Sequence, residues 1–169
     1  VTQRPFILSR SGAPGSQRLG VSMWSGDIGA NLESLAAHLR VQGQMSLSGV
    51  DYFGSDIGGF YRSNVVGGID NIYTPWFAVG SLLDVPLRPH TNNLCNCQET
   101  SPDRVGDLES NLANVRLRYA LSPYLYSLAH RASLYGEPVF PPLYYYYQAD
   151  ENTREIGTVK LIGRDLLAG

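Results

Sequence analysis

The chain has 169 residues, of which 43% are hydrophobic and 17% are charged, a composition that excludes an intrinsically disordered chain. Its formal net charge is −2, and its basic residues form no stripe, so no nucleic acid partner is expected. No apolar run reaches the roughly 18 residues that a membrane-spanning helix needs, so no membrane partner is expected either.

The first predicted elements are a strand and a helix. Residues 4–9 form a short apolar strand, and the glycine- and serine-rich residues 11–20 form a loop. Asn31 is suited to cap the helix that follows. Gly43 is one candidate for the end of this helix, and Leu47 is the other because the apolar pattern continues to it. Apolar residues recur at helical spacing at Leu32, Leu35, Ala36 and Leu39.

A second helix is predicted between two further strands. Residues 50–54 form a strand, and residues 69–83 form a helix in which Pro75 implies a late start or a kink. Residues 86–88 form the next strand. Strands and helices therefore continue to alternate along the chain.

The third helix has the clearest signals. Ser101-Pro102-Asp103 offers an N-cap with a proline in the first turn, and Gly136 ends the apolar pattern. Pro123 is expected to kink this helix. Its apolar and aromatic positions include Leu108, Leu112, Val115, Tyr119 and Leu128.

The last part of the chain changes in character. Residues 137–143 form a proline-interrupted strand, which completes the order β-α-β-α-β-α-β and favours a parallel sheet with helical crossovers. Residues 144–147 and 160–167 then predict two strands around the charged turn at 150–155. These two strands are expected to open a β-domain.

Four short strings lie near the predicted strands and carry the candidate chemistry. They are Arg10-Ser11-Gly12-Ala13-Pro14-Gly15-Ser16-Gln17-Arg18, Met23-Trp24-Ser25-Gly26-Asp27, Gly54-Ser55-Asp56-Ile57-Gly58-Gly59-Phe60 and Arg88-Pro89-His90. Together they resemble glycoside hydrolase family 31, the α-glucosidase family. The resemblance implies an α/β chain that is the C-terminal part of a (β/α)8 TIM barrel over residues 1–143. The start of a truncated β-domain is expected over residues 144–169, since a complete barrel needs about 250 residues.

The resemblance also implies a function. Asp27 occupies the general acid/base position of a retaining α-glycosidase that hydrolyses terminal α-linked glucosyl residues of an oligosaccharide or glucoside. Arg18, Asp56 and His90 occupy positions that bind sugar hydroxyls. The family's nucleophilic aspartate lies on an earlier strand, in a Trp-x-Asp-x-Asn-Glu-like motif that this sequence lacks. The chain alone is therefore expected to be inactive without a missing N-terminal part of the barrel, and no metal or organic cofactor is implied.

The residue types support this chemistry on physical grounds. Asp27, Asp56 and His90 each follow a predicted strand, and catalytic groups of (β/α)8 enzymes lie at the carboxyl ends of strands. Retaining glycosidases use two carboxyl groups about 5–5.5 Å apart, one as nucleophile and one as proton donor. Trp24 and Phe60 offer apolar faces to the C–H groups of a sugar. The alternatives are a turn for Asp56, core packing for Trp24 and a structural imidazole for His90.

Cys95 and Cys97 are separated by a single residue. A disulfide across that spacing is expected to be strained, so free thiols are predicted, which weakly favours a reducing, cytoplasmic compartment. A metal site with His90 is the alternative, but such sites usually show three or four ligands at other spacings.

Other classes of function fit less well. The spacing of Gly54, Gly58 and Gly59 does not match a dinucleotide-binding fingerprint, and no Gly-x-Ser-x-Gly elbow of a serine hydrolase occurs. A non-catalytic carbohydrate-binding module would suit the 11 tyrosines, but such modules are usually all-β. Within the family, glucosyl transfer, α-xylosidase activity and a catalytically inert fragment remain open.

Overall fold

The computed structural model describes residues 6–169. The first predicted strand is present as β1, Ile7–Ser9, while residues 4 and 5 of that prediction lie outside the described residues. The loop predicted for residues 11–20 contains one turn of 3-10 helix, Ser16–Leu19.

The centre of the sheet is β2, Val21–Trp24, a strand that the sequence pattern does not predict. Its parallel neighbours are β1 and β3, Phe53–Gly54. Ser9 pairs with Met23, so β1 and β2 end at the same edge of the sheet. The strand has only four residues, and in Val-Ser-Met-Trp neither a continuous apolar run nor a full apolar–polar alternation extends over them, although its first three residues are all buried. The helix expected after β1 therefore follows β2 instead.

The first helix, α1, spans Leu32–Leu47. Asn31 caps it as predicted, because its Oδ1 accepts a hydrogen bond from the Ser34 amide at 2.8 Å. Gly43 does not end the helix. Gly43 is buried, and a Cβ built on it would lie 3.7 Å from Pro142 Cβ. The chain around Pro142 therefore packs against α1 at this glycine.

The second helix, α2, spans Asp70–Leu83, and the prediction is confirmed to within one residue. Pro75 lies inside the helix. The core side chains of α2 are fully shielded from solvent: Tyr73, Trp76, Phe77 and Leu83.

The third helix, α3, spans Leu108–Tyr135 and begins later than predicted. Its N-cap is Asp107, whose Oδ1 accepts from the Ser110 amide at 2.8 Å, while residues 101–103 belong to the preceding loop. Gly136, with a φ of 70°, ends the helix as predicted. Within residues 6–169, no helix combines the length and apolar character that spanning a membrane requires.

Two predicted strands are wrong. Residues 86–88 form a single parallel bridge to the loop after β3, and residues 137–143 form a single antiparallel bridge to Lys160. The reason lies in their composition, since prolines have no N–H to donate to a strand ladder. These prolines are Pro86, Pro138, Pro141 and Pro142.

The chain ends in an antiparallel hairpin of β4, Lys160–Ile162, and β5, Leu166–Ala168. Residues 144–147 are not a strand, because they lie in and after the short 3-10 helix Leu143–Tyr145. Ile162 and Ala168 of the hairpin are buried in the same apolar core as α1 and α2. The predicted boundary of a separate β-domain after residue 143 stays a prediction.

Candidate active site

Asp27 lies just beyond the carboxyl end of β2, where Gly26 turns the chain with a φ of 74°. Arg10 directly follows the last residue of the neighbouring strand, β1. Its Nη2 donates to Asp27 Oδ1, forming an ion pair in which the aspartate side chain is 30% exposed. The carboxyl group is thus oriented by a neighbour and still open to a ligand.

Two guanidinium groups lie over the ring of Trp24, the last residue of β2. The Arg88 Cζ is 4.9 Å from the ring centroid, and the Arg10 Cζ is 5.4 Å from it. Cation–π contacts at such distances contribute about 0.5–2 kcal/mol each. The Trp24 Nε1 is buried and has no hydrogen-bond partner in the described residues. Trp24 therefore belongs to this polar cluster and not to the apolar core.

Asp56 follows β3 and is completely buried. Its Oδ1 accepts from Arg88 Nε at 2.8 Å, while its Oδ2 has no hydrogen-bond partner in the described residues. Burial raises the pKa of Asp56 above its ordinary value, although the bond and charge of Arg88 act in the opposite direction. Arg88, the partner of Asp56, and Arg10, the partner of Asp27, lie over the same Trp24 ring, so the two carboxyl groups belong to one cluster.

The loops after β2 and β3 form one unit through a close backbone approach. Gly59 has a φ of 84°, and a Cβ built on it would lie 2.4 Å from the Ala30 Cα. The Phe60 amide donates to the Ile28 carbonyl at 2.8 Å, and the Ala30 amide donates to the Tyr61 carbonyl at 2.9 Å. The two acidic loops are therefore held in fixed relation to each other.

Phe60 connects the same unit to His90. The two ring centroids are 5.7 Å apart. The Phe60 carbonyl accepts from Thr91 Oγ1 at 2.8 Å and from the Asn92 amide at 3.0 Å. His90 itself is exposed, so its imidazole is available to a ligand at the rim of the cluster.

Arg18 is not brought to this cluster. It is exposed in the 3-10 helix before the first residue of β2, whereas Asp27 follows the last residue of that strand. Five of the six predicted site residues thus lie together and one lies apart. The cluster comprises Trp24, Asp27, Asp56, Phe60 and His90.

Two arginines of the cluster are absent from the predicted site. Arg10 and Arg88 contact Asp27 and Asp56 respectively, and both lie over Trp24. Their position in sequence carries a signal, because Arg10 comes immediately after a strand. The rule that polar groups at carboxyl ends of strands form the site would have selected it.

The predicted free thiols are wrong, because Cys95 and Cys97 form a disulfide. Asn96 between them adopts a left-handed conformation with a φ of 51°, and the two Cα atoms are 5.2 Å apart, within the usual range for a disulfide. Among the described residues, no three histidine, cysteine, aspartate or glutamate side chains gather as a metal ligand set.

A comparison of sequences identifies the family of this chain. A sequence model of the glycosyl hydrolases family 31 TIM-barrel domain matches residues 1–128. The chain belongs to glycosyl hydrolase family 31. The matched domain is a TIM barrel. The described parallel sheet has three strands and is open, so the chain forms only part of such a barrel.

Individual family 31 proteins are similar along nearly the whole chain. A probable glucan 1,3-alpha-glucosidase of Oryza sativa subsp. japonica is 32% identical over 98% of this chain and 17% of its own length. An alpha-glucosidase of Saccharolobus solfataricus is 35% identical over 96% of this chain and 23% of its own length. The solved structure of the family 31 alpha-xylosidase from Xanthomonas citri matches with a TM-score of 0.81 and 29% identity, over 96% of this chain and 18% of its own. The chain thus spans about a fifth of the length of these relatives.

Proposed function

We propose that this chain supplies the acid/base aspartate of a retaining α-glycosidase that removes terminal α-linked glucosyl residues. The observation that carries the proposal is the position of Asp27, a partly exposed carboxyl group at the carboxyl end of a barrel strand, in one cluster with Asp56 and His90. Membership of a glycoside hydrolase family and the α-glucosidase relatives support the same reaction class.

In the proposed reaction Asp27 transfers protons in both steps. Protonated Asp27 gives its proton to the glycosidic oxygen as the bond from that oxygen to the anomeric carbon breaks and a nucleophilic carboxylate bonds to that carbon. Ionised Asp27 then takes a proton from water as the water oxygen displaces the carboxylate. No residue of this chain is assigned as that nucleophile.

The neighbouring groups suit the glucosyl unit. Asp56 is completely buried, so it acts on the sugar site through Arg88, whose guanidinium it holds over the Trp24 ring. Hydrogen bonds to a charged group contribute about 1.5–3 kcal/mol each. His90 adds a polar group at the rim, and the Phe60 ring beside it presents an apolar face to sugar C–H groups. Arg18, which lies apart, is not assigned a sugar contact in this proposal.

The decisive experiment is the Asp27→Asn substitution in the intact protein. With maltose, whose leaving group needs a proton, kcat is expected to fall about 10²–10⁴-fold, and the basic limb of the pH profile is expected to flatten. Glu109→Gln, which removes an exposed carboxylate from the first turn of α3, is the matched control and should leave kcat unchanged. Unaltered maltose turnover by the Asp27 variant would reject the role.

A second candidate is α-xylosidase activity, which the structural similarity to the alpha-xylosidase from Xanthomonas citri favours. Product analysis of the intact protein on maltose, isomaltose and an aryl α-xyloside separates the two, and transfer products on maltose would identify glucosyl transfer. A non-catalytic carbohydrate-binding module is disfavoured, because three helices dominate the described chain.

A further inference from the structure

A second carboxylate, Asp84, is buried next to the candidate site without being part of it. Asp84 follows α2 and is 1% exposed. Its Oδ2 accepts from the Ser55 amide at 2.9 Å and from Ser55 Oγ at 2.7 Å. Its Oδ1 lies 3.0 Å from both Gln42 Nε2 and His38 Nε2. Both oxygens thus have protein groups as hydrogen-bond partners.

The contact with Ser55 has a defined direction. Trp76 Nε1 donates to Ser55 Oγ at 2.8 Å, so the hydroxyl accepts from the indole and must give its own proton to Asp84. The Ser55 amide is also bound to Asp84, so both the hydroxyl and the backbone of Ser55 are held in place. Ser55 directly precedes Asp56, so Asp84 acts on the site through a single residue.

Asp84 is itself fixed from other sides. Arg118 donates to the Asp84 carbonyl at 3.1 Å and to the Ser81 carbonyl at 2.7 Å, which anchors the end of α2 to α3. Gln42 donates to the carbonyls of Phe53 and Leu83 at 2.9 Å and 2.8 Å, which ties β3 to the end of α2. The Asp84 carboxylate is therefore held in a fixed position relative to the end of β3.

A buried carboxylate at position 84 needs an explanation other than a contribution to stability. Replacing buried ionic groups by apolar ones is often neutral or stabilising, so a buried carboxylate is weak support for a stabilising role. A carboxylate fits this place because its Oδ2 accepts both Ser55 donors while its Oδ1 lies beside His38 and Gln42. An asparagine with its oxygen toward Ser55 would place its NH2 group beside Gln42 Nε2, which cannot accept a hydrogen bond.

We infer that Asp84 is a positioning residue of the proposed glycosidase: by fixing Ser55 it holds Asp56, and through the Asp56–Arg88 pair it places the guanidinium that lies over Trp24 in the sugar site. The inference rests on the proposed function. It assigns a role to a residue that contacts neither the acid/base nor the sugar, and it predicts that Asp84 matters only as long as Asp56 is present.

A double-mutant cycle in the intact protein tests this dependence. Asp84→Asn is expected to lower kcat/KM for maltose about ten-fold, mainly through KM, in the otherwise unchanged protein. In the Asp56→Asn background the same substitution is expected to change kcat/KM less than about two-fold. Ser55→Ala, a milder change that removes only the hydroxyl, should repeat this pattern if Asp84→Asn folds poorly.

Asp51→Asn is the matched control for a purely structural effect. Asp51 is a partly buried carboxylate, and it accepts from the Val139 and Phe140 amides at 2.8 Å and 3.3 Å, at the other end of β3. Its substitution should lower the urea midpoint of unfolding and leave KM unchanged. Losses from Asp84→Asn or Ser55→Ala that multiply with the loss from Asp56→Asn would overturn the inference while leaving the glycosidase proposal intact. Failure of the proposed function is distinguishable, since the unsubstituted protein would then release no glucose from maltose.

Discussion

The Arg10 guanidinium donates to the Asp27 carboxylate and lies over the Trp24 ring, with its Cζ 5.4 Å from the ring centroid. Arg10 and Asp27 are 17 residues apart and meet because β1 and β2 are parallel and end at one edge. The acid/base candidate is thus oriented by the strand beside its own.

Arg10→Met removes this contact. We expect kcat/KM for maltose to fall by about 10- to 100-fold, because a charge-assisted hydrogen bond and a cation–π contact are both lost. Arg10→Lys should recover only part of the activity, since an ammonium lacks the planar fork of the guanidinium. Arg18→Met is the matched comparison, because the family resemblance implies a sugar contact for Arg18 whereas the structure places it before β2. A greater loss with Arg18→Met than with Arg10→Met would contradict the arrangement described.

As the pH falls, sugar binding should begin to weaken at a higher pH than the ordinary pKa of an aspartate would predict. Burial raises the pKa of Asp56, and only its ionised form pairs with Arg88, the guanidinium that lies over Trp24 in the sugar site. Affinity is therefore full above the raised pKa and is lost as the pH falls through it. Calorimetric titration with a neutral S-linked maltose analogue between pH 7 and pH 4 measures this. Asp56→Asn should bind more weakly with no such dependence, and a wild-type affinity constant across this range would refute the prediction.

Lys160, the only lysine of the chain, should make stability depend on pH. Burial lowers the pKa of its ammonium from the ordinary value of 10.5 to about 7. Between these values the unfolded chain binds a proton that the folded chain does not, so the free energy of unfolding rises with pH. Its slope from this group is at most about 1.4 kcal/mol per pH unit.

Lys160→Met should remove this slope, as measured by urea unfolding of the intact protein at several pH values from 7 to 9.5. The stability of the variant relative to wild type is expected to decrease as the pH rises, because the wild type alone gains stability. Lys160→Arg is the control, since a guanidinium stays charged and should be destabilising throughout. Parallel curves for Lys160→Met and wild type would count against a buried, readily deprotonated lysine.

Gly59→Ala should damage both stability and activity. The new Cβ would lie 2.4 Å from the Ala30 Cα and 2.6 Å from its nitrogen, and neither backbone atom can move aside cheaply. Gly67→Ala is the matched control, because Gly67 has a nearly equal φ of 83° with nothing within 4 Å of a Cβ. We expect about 1 kcal/mol of lost unfolding free energy for Gly67 and about 2–4 kcal/mol for Gly59, with a lower kcat/KM only for the latter. Equal losses for the two variants would show that the loops do not approach closely.

Local signals were sufficient for several parts of the fold. The cap at Asn31, the extent of α2 and the end of α3 at Gly136 all depend on residues within a few positions of each other. The motif containing Asp27 is likewise contiguous, so the family and the acid/base candidate follow from the sequence. Each of these features involves interactions between neighbours in the chain, which the order of residues determines directly.

Other features were decided only by the tertiary structure. Strand β2 pairs with β1 and β3 on both sides, and its four residues are too few to show a strand pattern of their own. The choice of Arg10 over Arg18 as the partner of Asp27 depends on which end of β2 each arginine reaches. Strand pairing and the direction of side chains at a sheet edge are relations between segments distant in sequence. No local pattern specifies them, because their energy comes from contacts that form only when the sheet assembles.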